Sequence, residues 1–465
     1  MFGHGESVTS VYRNSTVKSE TSDNQRKEMA DTVRSCNAGT FRGIESTGCI
    51  HFRGIRYAES ERYRAPVPFI YPDGINDCDT PCPFCLQDEA RIEGRLVGLY
   101  YEKYPQVESC QFLSITIPEN ANPDSKKPVM VWYHGGAYKN GGCENEIYDR
   151  EPMVTEQDVI IVGVNYRLGI TGFVRDGDGN LSNNGLLDAI EGLKWVKRNI
   201  QAFGGDPDNI TIFGQSAGAD IVRCMLLSEC TDGLYKRAIM QSAPIGTMTG
   251  REDMDRKALD ELNTYPTDIS AEELLNIQRS ILAHVNEKGP AKEMVFGPHY
   301  GVYPLPKEED IPKRLHEIAS KYPLLIGYNT REVMAYVAGE EKLERMYHRP
   351  ILKQIIKRKE RKQSQKIFIA PIKAFAAQYA ECGGEAYLYK FHWIEHTYMG
   401  ACHGSELPLL FGVKGFREHK NLLGGVDIEE VTEIGRPMRK MWADFARDGS
   451  MDVLSIEGIL DAERL

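Results

Sequence analysis

Apolar residues along this chain fall into two kinds of run that alternate. Short, nearly continuous stretches rich in β-branched residues, Val129–Tyr133, Val159–Val164 and Ile210–Phe213, predict strands buried on both faces. Between them, Leu187–Phe203 carries Leu187, Ile190, Leu193, Val196 and Ile200 at helical spacing, and Ala217–Leu227 predicts a second helix. Ala238–Gln241, Leu324–Gly327 and Ala386–Phe391 predict further strands. Ile434–Arg447 predicts an amphipathic helix with Met438, Met441, Trp442 and Phe445 on one side. Strands alternating with helices point to an α/β architecture, a mostly parallel central sheet flanked by crossover helices.

Two stretches break the alternation. Arg251–Lys321 and Lys342–Lys366 are charged and helix-prone, with no clear strand, and are expected to form helical insertions above the sheet. The basic run Lys357–Lys362 reads as a solvated helix face rather than a binding patch. Residues 1–32 are polar and read as a flexible N-terminal arm before one folded unit at residues 33–465.

Composition narrows the function classes. The 465 residues are 41% hydrophobic and 26% charged, with a net charge of -11. That balance speaks against a nucleic-acid partner. No run approaches the 18 or so apolar residues of a transmembrane helix. The start of the chain has no apolar core like that of a secretory signal, so a cytoplasmic location is expected, or a secreted one if a leader has been removed. The 11 cysteines show no zinc pattern, since the pair Cys82 and Cys85 has no second pair at finger-like spacing. His392-Trp393-Ile394-Glu395-His396 spells a zinc-protease motif, but it directly follows a strand where the motif needs a helix. Gly141-Gly142 lacks the lysine of a phosphate loop. No cofactor and no metal are expected.

The sharpest chemical signal is Gly214-Gln215-Ser216-Ala217-Gly218, a G-x-S-x-G with a strand before it and a helix after it. A serine at a tight strand-to-helix turn takes a strained backbone, and small neighbours leave room for it. The turn lifts Oγ above the sheet edge. A hydroxyl is a poor nucleophile at neutral pH and needs a base, and the developing oxyanion needs donors. His134-Gly135-Gly136-Ala137, after the strand ending at Tyr133, is the kind of loop whose N–H groups serve as such donors.

At this point the chain resembles the type-B carboxylesterases, the family of carboxylesterases, cholinesterases and bacterial p-nitrobenzyl esterases. The likeness runs from about Val33 to Gly449. It rests on Phe52-Arg53-Gly54-Ile55-Arg56-Tyr57-Ala58 with Arg62-Tyr63, on Asn165-Tyr166-Arg167-Leu168-Gly169 and on Asn184-Gly185-Leu186-Leu187-Asp188. Phe203-Gly204-Gly205-Asp206-Pro207 and Trp442-Ala443-Asp444-Phe445-Ala446 add to it. The resemblance implies an α/β-hydrolase fold and hydrolysis of small carboxylic esters through an acyl-enzyme. It also places an acid at Glu332, in Gly327-Tyr328-Asn329-Thr330-Arg331-Glu332, and a base at His403, in His403-Gly404-Ser405-Glu406. Ser216, Glu332 and His403 then form the triad in the chain order of that fold, with Gly136, Ala137 and Ala217 as oxyanion donors and His134 only flanking the loop. Activity is expected to fall as His403 protonates, near or somewhat below pH 7.

The chain departs from the family in places. Gln215 stands where the family usually has glutamate, Ala137 replaces a third glycine, and Arg56 replaces a proline. Pro298-His299-Tyr300-Gly301 lacks the aspartate of the family's turn. The family's first disulfide would fall on Cys85 and Cys110. Two alternatives remain open from sequence: a non-catalytic cholinesterase-like binding protein, or an amidase or thioesterase using the same acyl chemistry.

Overall fold

The computed structural model describes residues 32–88, 103–285, 294–416 and 420–465. All of the expected arm except Thr32 lies outside the described residues. Eleven strands form one sheet. In chain order they are β1 (Ile44–Ser46), β2 (Cys49–Arg56), β3 (Phe112–Pro118), β4 (Lys127–Tyr133), β5 (Ile160–Val164), β6 (Gly205–Gln215), β7 (Arg237–Gln241), β8 (Leu324–Asn329), β9 (Ala386–Phe391), β10 (Ser455–Ile456) and β11 (Leu460–Arg464). In space the order is β10-β11-β9-β8-β7-β6-β4-β5-β3-β2-β1. From β5 through β4, β6, β7 and β8 to β9 the pairing is parallel, and antiparallel strands extend both edges. This is the mixed, largely parallel sheet of an α/β-hydrolase.

Side-chain alternation divides the core between the two faces. On β4, Val129, Val131 and Tyr133 join one buried cluster, while Met130 and Trp132 join the other. The second face takes α1 (Glu151–Gln157) through Met153 and Val154. The first face takes α2 (Asn184–Asn199) and α3 (Ala217–Leu227). It also takes the inner residues of α4 (Glu252–Leu262), α5 (Ala271–His284) and α6 (Ile311–Ile318), which make up the first expected insertion. The second insertion is mainly α7 (Pro350–Ser364), followed by one π-helical turn, Gln365–Ile369. On α7, Arg358, Lys359, Arg361 and Lys362 face solvent as expected, but Glu360 turns inward. The chain returns to the second face with α8 (Ile428–Asp448), whose Met438, Met441, Trp442 and Phe445 are buried.

Two ion pairs, one fully and one partly buried, tie these layers. Arg167 Nε and Nη2 donate to the two carboxylate oxygens of Asp188 at 2.7 and 2.8 Å, so the two sequence motifs that carry these residues meet in one contact. Arg439 of α8 makes the same fork with Glu156 of α1, at 2.8 and 2.7 Å. Cys85 and Cys110 lie against each other as free, buried thiols, so the disulfide implied for them is not formed in this structure.

Candidate active site

Strand β6 delivers Ser216 to the rim of the sheet, and α3 starts at the next residue. Ser216 has φ 58° and ψ -125°, a conformation that costs about 1–3 kcal/mol and persists only where the surroundings impose it. The surroundings are explicit. Ser216 N–H donates to Gln241 O of β7 at 2.9 Å, and Asp220 N–H donates to Ser216 O at 3.1 Å. A side chain at Gly218 would put its Cβ 1.9 Å from Tyr133 O, and one at Gly214 would come within 2.4 Å of Gly218. Both flanking glycines are therefore demanded by close backbone approach. Ala217, fully buried, opens α3, so its N–H has no acceptor within the helix and sits at the positive end of the helix dipole.

The loop after β4 lies on this turn. A Cβ at Gly135 would meet Ser216 Cβ at 3.0 Å. Gly136 has φ 114°, and a Cβ there would strike Asn140 O at 2.0 Å. Ala137 and Tyr138 also have positive φ, 53° and 59°. Left-handed backbone at alanine costs roughly 1–2 kcal/mol, so this loop is held against its local preference. The hold comes from Tyr138, whose hydroxyl donates to buried Asp220 on α3 at 2.7 Å, while Arg223 Nε donates to the same carboxylate at 2.8 Å. His134 lies behind the loop. Its ring stacks on Tyr166 with centroids 4.6 Å apart, its Nδ1 donates to Gly135 O at 2.8 Å, and burial pushes its pKa down to about 4.

Glu332 follows β8 and is fully buried. Its Oε1 accepts from Asn329 N–H at 2.8 Å, and its Oε2 lies 2.6 Å from His403 Nδ1. On the other side of the ring, Gln215 Nε2 is 3.2 Å from His403 Nε2. An amide nitrogen can only donate, so Nε2 of the imidazole carries the lone pair and Nδ1 carries the hydrogen given to Glu332. The ring is thus held as the tautomer a general base requires. Phe368, in the π-helical turn after α7, packs on His403 with centroids 4.9 Å apart. π turns frequently occur at functional sites.

The model of the carboxylesterase family matches residues 30–365 and 338–453, most of the chain. The chain belongs to the carboxylesterase family. A probable N-octanoylanthranilate hydrolase of Rhodococcus erythropolis is 32% identical, over 88% of this chain and 92% of its own. A para-nitrobenzyl esterase of Bacillus subtilis is 30% identical over 91% of each chain. Among solved structures, a thermophilic p-nitrobenzyl esterase superposes with a TM-score of 0.76 at 28% identity, covering 93% of this chain and 98% of its own. This carboxylesterase is a carboxylic ester hydrolase of the α/β-hydrolase fold, as the sequence resemblance implied.

Both insertions of the carboxylesterase reach the site. The π-helical turn at the end of the second brings Phe368 to His403. The first places Gly297 against Tyr138, where a Cβ would stand 3.1 Å from the ring. Three residues near the centre were given no role by the sequence. Asp220 reads there as one more acidic residue on a helix. Asn329 donates through Nδ2 to Cys402 O at 2.7 Å and to Glu406 Oε2 at 2.5 Å, and its only signal is a polar residue ending an apolar strand. Glu406 is fully buried, and burial, then the charge of Glu332, raises its pKa to about 7. His392–His396 forms turns, not a helix, so the spacing a zinc-protease motif depends on is absent. Among the described residues no helix is long and apolar enough to cross a membrane.

Proposed function

We propose that Ser216, His403 and Glu332 carry ester hydrolysis in this carboxylesterase, as nucleophile, base and supporting acid, within one catalytic unit spanning residues 33–465. Ser216 Oγ attacks the ester carbonyl as His403 Nε2 takes its proton. The tetrahedral intermediate collapses, the C–O bond to the alcohol breaks, and His403 returns the proton to the leaving oxygen. Water then repeats the sequence on the acyl-enzyme and frees the acid. Glu332 keeps the proton on Nδ1 and stabilises the imidazolium. The N–H groups of Gly136, Ala137 and Ala217 are proposed to receive the oxyanion, each donor worth roughly 3 kcal/mol in the transition state. The observation that carries this reading is the 2.6 Å contact between His403 and buried Glu332, on a ring whose other nitrogen faces the elbow.

The test is turnover of p-nitrophenyl esters from acetate to long-chain acyl by the native enzyme and by Ser216→Ala. The variant should lose at least about a thousandfold in kcat while folding normally. Equal turnover by both would remove Ser216 from the reaction. The name of the Rhodococcus relative supports a second reading, cleavage of N-acyl derivatives of aromatic amines. Matched p-nitroanilides run beside the p-nitrophenyl esters separate the two substrate classes.

A further inference from the structure

Cys49, His51 and Glu151 converge near one edge of the sheet, away from Ser216. Cys49 and His51 are two apart on β2, so their side chains share one face of the strand. Glu151 is the first residue of α1. Strand β2 is four strand spacings from β6, about 19 Å, so this cluster takes no part in ester cleavage.

The contacts around His51 gather three groups of metal-ligand chemistry, a thiol, an imidazole nitrogen and a carboxylate, at one point. Cys49 Sγ lies 3.4 Å from His51 Nε2, and Glu151 Oε1 lies 3.0 Å from the same nitrogen. A ring nitrogen carries either a hydrogen or a lone pair. With a hydrogen it serves the carboxylate, and the thiol is left to Ser46; with a lone pair it serves the thiol and repels the carboxylate. One atom that accepts electron density from all three groups satisfies them together.

We propose that Cys49, His51 and Glu151 form a binding site for a thiolate-favouring divalent cation, zinc being the best fit. The separations support it. Zn–S of about 2.3 Å with Zn–N and Zn–O of about 2.0–2.1 Å at tetrahedral angles sets S···N near ~3.6 Å and N···O near ~3.3 Å. The observed 3.4 and 3.0 Å need only a slight opening, and the three ligand atoms all lie within 4.8 Å of one another. Supporting groups are in place. Thr116 Oγ1 lies 3.1 Å from His51 Nδ1 and can accept its hydrogen, which frees Nε2 for the ion. Ser46 Oγ donates to Glu151 Oε1 at 2.7 Å. Cys49 is fully buried and His51 nearly so, but about a quarter of the Glu151 side chain is exposed, which leaves a way in.

Binding removes one proton, from the Cys49 thiol, and water from the ion; the resulting thiolate and carboxylate neutralise the 2+ charge. Asp149 and Glu119 add negative charge near the thiol, and Arg53, Arg150 and Lys414 add positive charge around His51 and Glu151. A thiol must give up its proton to bind the ion, so affinity should rise with pH.

The test adds Co2+ to the full chain after dialysis against a chelator. Expected are one bound Co2+ per chain, a near-ultraviolet thiolate-to-cobalt band and visible bands of a four-coordinate ion, all abolished by Zn2+. In Cys49→Ser the thiolate band should vanish, and in His51→Gln and Glu151→Gln the Co2+ affinity should fall at least about tenfold. Turnover of p-nitrophenyl acetate, unchanged in all three variants, certifies that they are folded. Absence of the thiolate band in the native chain, or its survival in Cys49→Ser, overturns the proposal whether or not Ser216 proves to be the nucleophile.

Discussion

Gln215 sits between the proposed nucleophile and the proposed base, and its amide decides what His403 Nε2 faces. An amide donor there favours the neutral ring. A carboxylate at the same place would favour the imidazolium instead. Gln215→Glu should therefore move the acid limb of the pH–kcat/KM profile upward by about one unit, with the plateau at high pH kept within severalfold. A profile that does not move would separate this side chain from the base. Ala137 is the second residue with a local consequence, since a positive-φ alanine carries strain that a glycine would not. At this scale the sequence was legible wherever a backbone demand left its mark, as in the glycines around Ser216. It was silent on Asp220, and it placed Glu406 in a family motif without a role, because nothing local distinguishes a buried carboxylate from a solvated one.

Elements were most legible where burial on both faces made the strand a plain apolar run. Val159–Val164 overlaps β5 from Ile160 onward, and Ile210–Phe213 lies within β6. The second is short of the observed β6, because Asp206-Pro207-Asp208-Asn209, which carries no apolar signal, is taken up in the strand as an irregularity between the pairings of Gly205 and Ile210. The helical periodicity through Leu187–Phe203 continues past the true helix end, since Ile200–Phe203 tightens into a 3-10 turn that buries the same side. Leu187 itself is only half-buried, and Leu186 packs fully. Between elements, Arg167 and Asp188 form the contact with most at stake. Asp188→Ala leaves the Arg167 charge buried without its partner, a loss of about 3–5 kcal/mol. Urea unfolding should show that loss, or no soluble protein at all; a change below about 1 kcal/mol would mean the pair is replaceable.

For the whole molecule, Glu406 links stability to pH. Folded, its carboxyl keeps its proton up to about 7; unfolded, it releases it near the ordinary carboxylate value. Across that window the unfolded chain binds fewer protons, so this group's contribution to stability falls as pH rises from about 4.5 and is lost above about 7. Its Oε1 has no hydrogen-bond partner among the described residues, which suits a neutral acid better than an anion. Glu406→Gln removes the loss, so the variant should match the native enzyme near pH 4.5 and exceed it by of order 3 kcal/mol at pH 8 in urea unfolding. A difference independent of pH would contradict the assignment.

The fork between Arg439 and Glu156 joins residues 283 apart in the chain. On a ribosome that separation is a delay. Trp132 and Phe213 are made early, on the face of the sheet that α8 covers last. Until α8 emerges, that face is an open apolar surface of the kind that trigger factors and heat-shock proteins hold. The nucleophile elbow waits too, since its imidazole arrives 188 residues after Gln215. The nascent chain is therefore sticky before it is reactive, and the same late helix that ends its need for escort is made only after every part of the proposed hydrolytic centre is present.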